Sequence, residues 1–405
     1  MRPLWLLALA APATAGEPVG EVELVRLALH ASLVGAELDA LRAQGDAAAT
    51  STLAVPNPTL DARREQGGGP DGPSLDALGG SITLDLGLSG LAELRAAGLR
   101  GEAGQAWLRA GTVAAVCEVR GGVLEAWLAA ERVASSHVAE ARLVELEQAV
   151  AALARTGDRS DYEHQRIELV VAAHAGQVAA DVADEATSGA SLDALAGVAI
   201  GQVELLPLGE LGDLGASLAN AWANDPVRAA LQHELRAAEH ALAAARRGSL
   251  PDLTVSGAAR WETLEPGTTS QGYELGAGLE VPLFDRGQAE RAEQRASLAQ
   301  LQARLVQRET SLRTQVEASW HVATGLDALP VLPDTEGIWQ GARQRYMAGE
   351  ADLDELLAVA TDIAAAERAR LDAEALRRSS RLQLACLAGT FDHPELQALV
   401  EEQNR

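Results

Sequence analysis

Hydrophobic positions along this chain fall into two rhythms. From about residue 91 to 155 the apolar residues Leu94, Leu108, Val116, Val119, Val123, Leu124, Trp127, Leu128, Val138, Leu146 and Leu153 recur at mixtures of three, four and seven, the spacing of a helix with one buried stripe. A helix of that length spans on the order of 100 Å at 1.5 Å per residue, so it needs a coiled coil or a tube wall to pack against. Gly98, Gly101, Gly104, Gly111, Gly121 and Gly122 interrupt the stripe. Each lowers helix stability unless close packing uses its small size, so an interrupted helix is as compatible with the pattern as one rod.

The second rhythm is strict alternation, and it occurs in few places. Residues 81–88 place Ile82, Leu84, Leu86 and Leu88 opposite Thr83, Asp85 and Gly87. Residues 253–261 and 273–283 do the same, and residues 59–65 form a weaker fourth segment; period two is the mark of a half-buried strand. Turn-rich stretches separate the partners: Gly67-Gly68-Gly69-Pro70-Asp71-Gly72-Pro73 in the first pair, Pro266-Gly267 onward in the second. Four strands are predicted, in two hairpins.

The landmarks repeat. Pro58-Thr59-Leu60 is echoed by Pro251-Asp252-Leu253, Gly90 after the second strand by Gly287, and Thr156-Gly157-Asp158 by Ala348-Gly349-Glu350, in the same order in each half. The repeat unit is helix, strand, strand, long helix, sharp turn, helix, occurring twice. Residues 16–213 form one repeat and residues 214–405 the other. The fold class is mainly α with a small β part. Four strands cannot close a barrel, which takes about eight to enclose even a packed interior, so an apolar sheet face here calls for oligomerisation.

Composition narrows the function. The chain has 58 acidic against 33 basic residues, a net charge of −25, and no lysine at all. Nucleic-acid binding is excluded on that balance, and disorder by a hydrophobic fraction of 47%. Two Phe, three Tyr and seven Trp are too few to anchor a large conventional core, so Ala and Leu must carry the packing. Residues 1–15 have the order of a secretory signal peptide: Arg2, an apolar run, then Ala13-Thr14-Ala15. No cysteine near that leader offers an acylation site. Past it, the most apolar window, residues 192–208, holds Asp193, Gln202 and Glu204 and falls short of a membrane helix. Any membrane span must then be a β-barrel. Cys117 and Cys386 permit one disulfide and are read here as packing residues.

No P-loop, nucleophile elbow or dinucleotide fingerprint is present, and neither an enzyme nor a cofactor is expected. His233-Glu234 and Glu239-His240 are read as a solvated helix face rather than a metal cluster. Asp161, Glu163, His164 and Glu168 could hold a cation weakly, yet a polar turn needs no ligand, and no metal site is assigned.

The residues also carry a family resemblance. Val55-Pro56-Asn57-Pro58, Leu250-Pro251-Asp252-Leu253, Val281-Pro282-Leu283-Phe284-Asp285-Arg286-Gly287, Arg345-Tyr346-Met347-Ala348-Gly349-Glu350 and Leu387-Ala388-Gly389 stand in the order and spacing of a TolC-like outer-membrane efflux protein. Gly90, Arg95, Pro330 and Pro333 look most similar to the heavy-metal cation branch, although Leu91 lacks that branch's basic residue. The resemblance implies a homotrimer sharing a twelve-stranded transmembrane β-barrel in outer-membrane lipid, continued by an α-helical tube across the periplasm. It implies as partners a periplasmic membrane-fusion adaptor and an inner-membrane pump of the RND type. The hairpin tips, with Thr156, Gly157 and Asp158 in one and Ala348, Gly349 and Glu350 in the other, would be docking sites. Tyr346, matching a family tyrosine that bonds to the neighbouring helix, and the acidic Asp354 and Glu355 would form the periplasmic gate. Ala358 occupies the second acidic ring position. Asp352, Asp354 and Glu355 read equally well as an acidic first helical turn favoured by the helix dipole. The rival from another class is a periplasmic coiled-coil adaptor or scaffold, which has no use for four alternating strands.

Overall fold

The computed structural model describes residues 19–31, 33–50, 59–66, 74–85, 88–247, 252–265, 268–280 and 287–403. The signal-peptide region and residues 281–286 of the strand-to-helix string lie outside them. In chain order the elements are β1 (Val19–Gly20), α1 (Glu21–Ala31), α2 (Leu33–Thr50), β2 (Thr59–Gln66), β3 (Ser74–Asp85), α3 (Leu88–Thr156), α4 (Asp161–Ala196) and β4 (Val203–Glu204). There follow α5 (Leu214–Asn224), α6 (Pro226–Arg247), β5 (Asp252–Glu265), β6 (Thr268–Glu280), α7 (Gln288–Asp327), α8 (Thr335–Met347), α9 (Leu353–Ala388) and α10 (Pro394–Gln403). The protein is mainly helical with few strands.

α3 runs unbroken for 69 residues, so the glycines within it do not interrupt the rod. At Gly122 the reason is packing: a Cβ there would lie 3.0 Å from Leu195 Cδ1 of α4, and glycine lets the two helices approach. Gly98 and Gly121 meet nothing within 4 Å, and the surrounding Ala, Leu, Glu and Arg carry the helix past them. The second long pattern does break, between Asp327 and Thr335, where Pro330 and Pro333 lie and Asp334 caps the new helix through Gly337 N–H.

Two compact units emerge, each drawn from both halves of the sequence. One comprises residues 40–110 and 226–310. Its β2, β3, β5 and β6 form one antiparallel sheet in the order β2-β3-β5-β6. β3 begins at Ser74, upstream of the alternation that starts at residue 81, and Leu75, Asp76, Ala77 and Leu78 pair with β2. Gly79-Gly80 breaks the alternating pattern and hides this part of the strand from the sequence reading. Across β5 and β6 the register joins Val255 to Ala277, Gly257 to Leu275 and Ala259 to Tyr273. Tyr273, Leu275 and Leu279 are exposed, Tyr273 at 86%. The helical part of this unit buries Ala96, Ala103, Ala230, Ala237, Ala241 and Ala245, the small-residue packing that the shortage of aromatics requires.

The other unit comprises residues 1–39, 111–225 and 311–405. One cluster packs Leu143, Leu146 and Val150 of α3 and Ile167 of α4 against Trp339 and Tyr346 of α8 and Leu353, Leu356 and Ile363 of α9. A second joins Ala221 of α5, Leu312 and Val316 of α7 and Leu387 of α9. Buried Asp181 of α4 pins three helices together: it accepts bonds from Ser136 of α3, Gln177, and both guanidinium nitrogens of Arg368 on α9. Burial alone would raise this carboxyl's pKa, but the donors outweigh it and hold the group below the usual carboxylate range.

Cys117 of α3 and Cys386 of α9 are joined in a disulfide, with Cα atoms 6.1 Å apart. This corrects the reading of the two as packing residues. They are separated by 269 residues, and only the antiparallel return of α9 along α3 brings them within bonding distance. Such cross-links are worth about 2–4 kcal/mol.

Candidate functional site

The two turns named by the sequence close α3 onto α4 and α8 onto α9. They have the same backbone. In the first, Gly157 takes φ 81°, Gly157 N–H donates to Ala154 O and Asp158 N–H to Leu153 O. In the second, Gly349 takes φ 73°, Gly349 N–H donates to Tyr346 O and Glu350 N–H to Arg345 O. Both are Schellman endings, which need a residue tolerant of the left-handed region. Three residues on, each chain caps its next helix. Ser160 accepts from Glu163 N–H while Glu163 reaches back to Ser160 N–H, a complete capping box. Asp352 accepts from Glu355 N–H at 2.8 Å.

Thr156, Gly157 and Asp158 are exposed, as are Ala348, Gly349 and Glu350. The Thr156 hydroxyl bonds Leu153 O and Asp158 Oδ2, so the first turn is held by its own side chains. The second turn rests on a core. Tyr346 is fully buried, between α3, α4 and α9.

Tyr346 is tied to the first turn, but not through its hydroxyl, which has no hydrogen-bond partner among the described residues. The tie is made by Arg159, which donates Nη2 to the Tyr346 carbonyl at 2.9 Å and lies 4.5 Å from the ring centroid. The Tyr346 carbonyl, in the last turn of α8, thus accepts from Arg159 as well as from Gly349 N–H, and the aromatic face attracts the cation. Burial, with nearby Glu163 adding to it, pushes the phenol above its ordinary pKa, against the effect of Arg159.

Asp354 and Glu355 are exposed and each meets an arginine. Arg166 of α4 bonds Asp354, and its hydrogen bond holds that carboxyl below the usual range. Arg345 of α8 reaches Glu355 at 2.6 Å. Arg343 takes Glu145 at 2.7 Å, and Arg142 takes Glu336 at 2.9 Å. The sequence reading named the acidic side of this array and missed Arg159, Arg166 and Arg345. An i+10 pair across a known turn, such as Arg345 and Glu355, was the available signal; the cross-hairpin pairs had none.

The cation group suspected from sequence is regrouped. His164 and Glu168 remain together, joined by Glu147 of α3 instead of Asp161 and Glu163. Glu163 is committed to the capping box and to Arg159. Glu147 and His164 lie 17 residues apart on opposite sides of the turn, a relation visible only once the hairpin is drawn. His233 lies 3.4 Å from Glu102. Among the described residues no helix is long and apolar enough to cross a membrane.

Residues 218–390 match the family model of the outer membrane efflux protein. No curated protein matches the chain by sequence. Solved structures match it along most of its length. The CmeC outer membrane channel of Campylobacter jejuni superposes with TM-score 0.74 at 15% identity, covering 95% of this chain and 89% of that one. A membrane protein from Pseudomonas aeruginosa gives 0.75 at 18% identity, covering 96% and 97%. The outer membrane protein VceC of Vibrio cholerae gives 0.74 at 18%, covering 92% and 97%. The chain thus carries the outer membrane efflux signature over its second half and a TolC-like fold over nearly all of its length.

Proposed function

We propose that this chain is the exit duct of a tripartite efflux system, a homotrimer in which three sheets share one twelve-stranded barrel in outer-membrane lipid and the helices build a periplasmic tube. The observation that carries this is the sheet. It has four strands in the order β2-β3-β5-β6, so β2 and β6 each present an outer edge with no ladder partner among the described residues. It also exposes Tyr273, Leu275 and Leu279. Unpaired edges beside an apolar face are stable in lipid only in a closed barrel, and four strands close one only with strands from other copies. Trp261 and Tyr273 would sit in its interfacial belt. The periplasmic coiled-coil alternative leaves this sheet without a role.

In this reading residues 1–15 direct export, residues 16–213 and 214–405 are the two repeats, and the disulfide suits the oxidising compartment the tube would cross. The turns at Gly157 and Gly349 dock a periplasmic adaptor coupled to an inner-membrane pump of the RND type. The duct conducts passively and has no catalytic group. Tyr346, Asp354 and Glu355 form the gate region, with Asp354 and Glu355 engaged by arginines of the same chain; opening would require those pairs to be exchanged.

The test is fractionation and conductance. The full chain should migrate as a heat-modifiable trimer from the outer-membrane fraction and form cation-preferring channels in planar bilayers. A soluble monomer without conductance would overturn the duct and favour the scaffold.

A further inference from the structure

We propose that Glu147, His164 and Glu168 form a binding site for a divalent transition-metal ion of the zinc or cobalt type, tying α3 to α4 near the first turn. The three side chains bring one ligand atom each within 4.8 Å of one another. His164 Nε2 stands 3.0 Å from Glu147 Oε1 and 3.6 Å from Glu168 Oε1. These separations bracket the edge of about 3.3 Å expected between ligand atoms at zinc bond lengths near 2.0 Å. His164 and Glu168 are one helical turn apart on α4, and Glu147 comes from the facing helix, so the site is contained within a single hairpin.

The charge balance argues the same way. Around this end of the unit arginines take several of the carboxylates: Arg343 takes Glu145, Arg159 takes Glu163, Arg166 takes Asp354 and Arg345 takes Glu355. Glu147 and Glu168 have no arginine partner among the described residues and share one imidazole nitrogen. A neutral imidazole can offer that nitrogen's hydrogen to one acceptor well, not to two, and the cluster keeps excess negative charge. A dication placed among the three would accept the nitrogen lone pair and one oxygen from each carboxylate. The side chains are only partly covered, at 25% exposure for Glu147, 29% for His164 and 55% for Glu168, so water can complete the coordination. One imidazole and two carboxylates select borderline divalent ions over soft monovalent ions, which prefer sulfur, and over calcium and magnesium, which prefer all-oxygen sites.

The inference stands on side chains within one hairpin and does not depend on the duct. It is tested on the purified full chain in detergent, stripped of metal by a chelator and dialysed, then titrated with Co(II) and Zn(II). The expected result is saturable binding of one ion per chain, with visible Co(II) absorption bands displaced by Zn(II) and unaffected by Ca(II) or Mg(II). His164→Ala should weaken binding by about tenfold or more, and Glu147→Gln should do so while leaving the hairpin's shape intact. Circular dichroism checks that both variants keep their helix content. Absence of saturable binding by the wild type at about millimolar metal, or unchanged affinity in a folded Glu147→Gln variant, overturns the proposal.

Discussion

At Gly157 and at Gly349 the chain makes the same turn, with a left-handed glycine, paired Schellman bonds and a capped helix three residues on. What hangs from the two turns differs. The first bonds to itself, Thr156 closing on Leu153 and Asp158, and sends Arg159 across to the second. The second sits on buried Tyr346, Leu353 and Leu356, and receives that arginine on its last-turn carbonyl. A repeated backbone motif therefore carries an anchored copy and a copy that reaches over to it. The efflux-family resemblance alone would treat them as equivalent docking tips.

The strongest way to break this comparison is to remove the anchor. Tyr346→Ala should cost about 3–5 kcal/mol, as for other buried aromatics, while Thr156→Ala should fall within about 0.5 kcal/mol of wild type, as surface substitutions do. Denaturant unfolding of the two variants decides it; equal losses would mean the second turn is no better anchored than the first. Next comes the shared backbone. An added Cβ meets nothing within 4 Å at either glycine, so the cost of Gly157→Val or Gly349→Val is backbone strain of about 1–3 kcal/mol at each. Thermal melts should shift alike, and Gly349→Val should also impair efflux without preventing trimer formation. Unchanged resistance would remove that turn from the docking surface.

Smaller effects separate the caps and the charges. Ser160→Ala and Asp352→Ala should each cost about 1 kcal/mol, since each removes the side-chain acceptor of one helix N-terminal N–H; the Glu163 bond to Ser160 uses the backbone N–H and survives the substitution. Glu355→Gln removes an exposed pair with Arg345 and should change stability by under about 1 kcal/mol, yet lower cation preference in bilayer conductance if the gate reading holds. The smallest is a pH effect. Arg166 holds the Asp354 carboxyl below its ordinary range, so the link between the hairpins is present at neutral pH. It is lost only as pH falls through that depressed value. A carboxyl titration by NMR in wild type and Arg166→Gln should show the value rise in the variant.

Much of the architecture was legible because it rests on local pattern. Period two in residues 253–261, strong helix formers in residues 91–155 and glycine in both turns are short-range preferences that tertiary packing reinforced. The start of β3 at Ser74 was not legible, because Gly79-Gly80 breaks alternation while leaving the ladder to β2 intact. At the candidate site the acidic members and both glycines were found and the arginines were not. Arg159, Arg166 and Glu147 act on residues of another helix, at sequence separations with no periodic signature.

The sequence by itself determined the element types, their order and the position of the two turns, because propensity, periodicity and left-handed glycine act over a few residues. Only the tertiary structure decided that α3 passes its glycines unbroken, that Cys117 meets Cys386, that Tyr346 is tied through its carbonyl and ring rather than its hydroxyl, and that Glu147 joins His164 and Glu168. Each of these depends on which helix lies beside which. That pairing comes from burying many small apolar contacts together, which no short window of sequence contains.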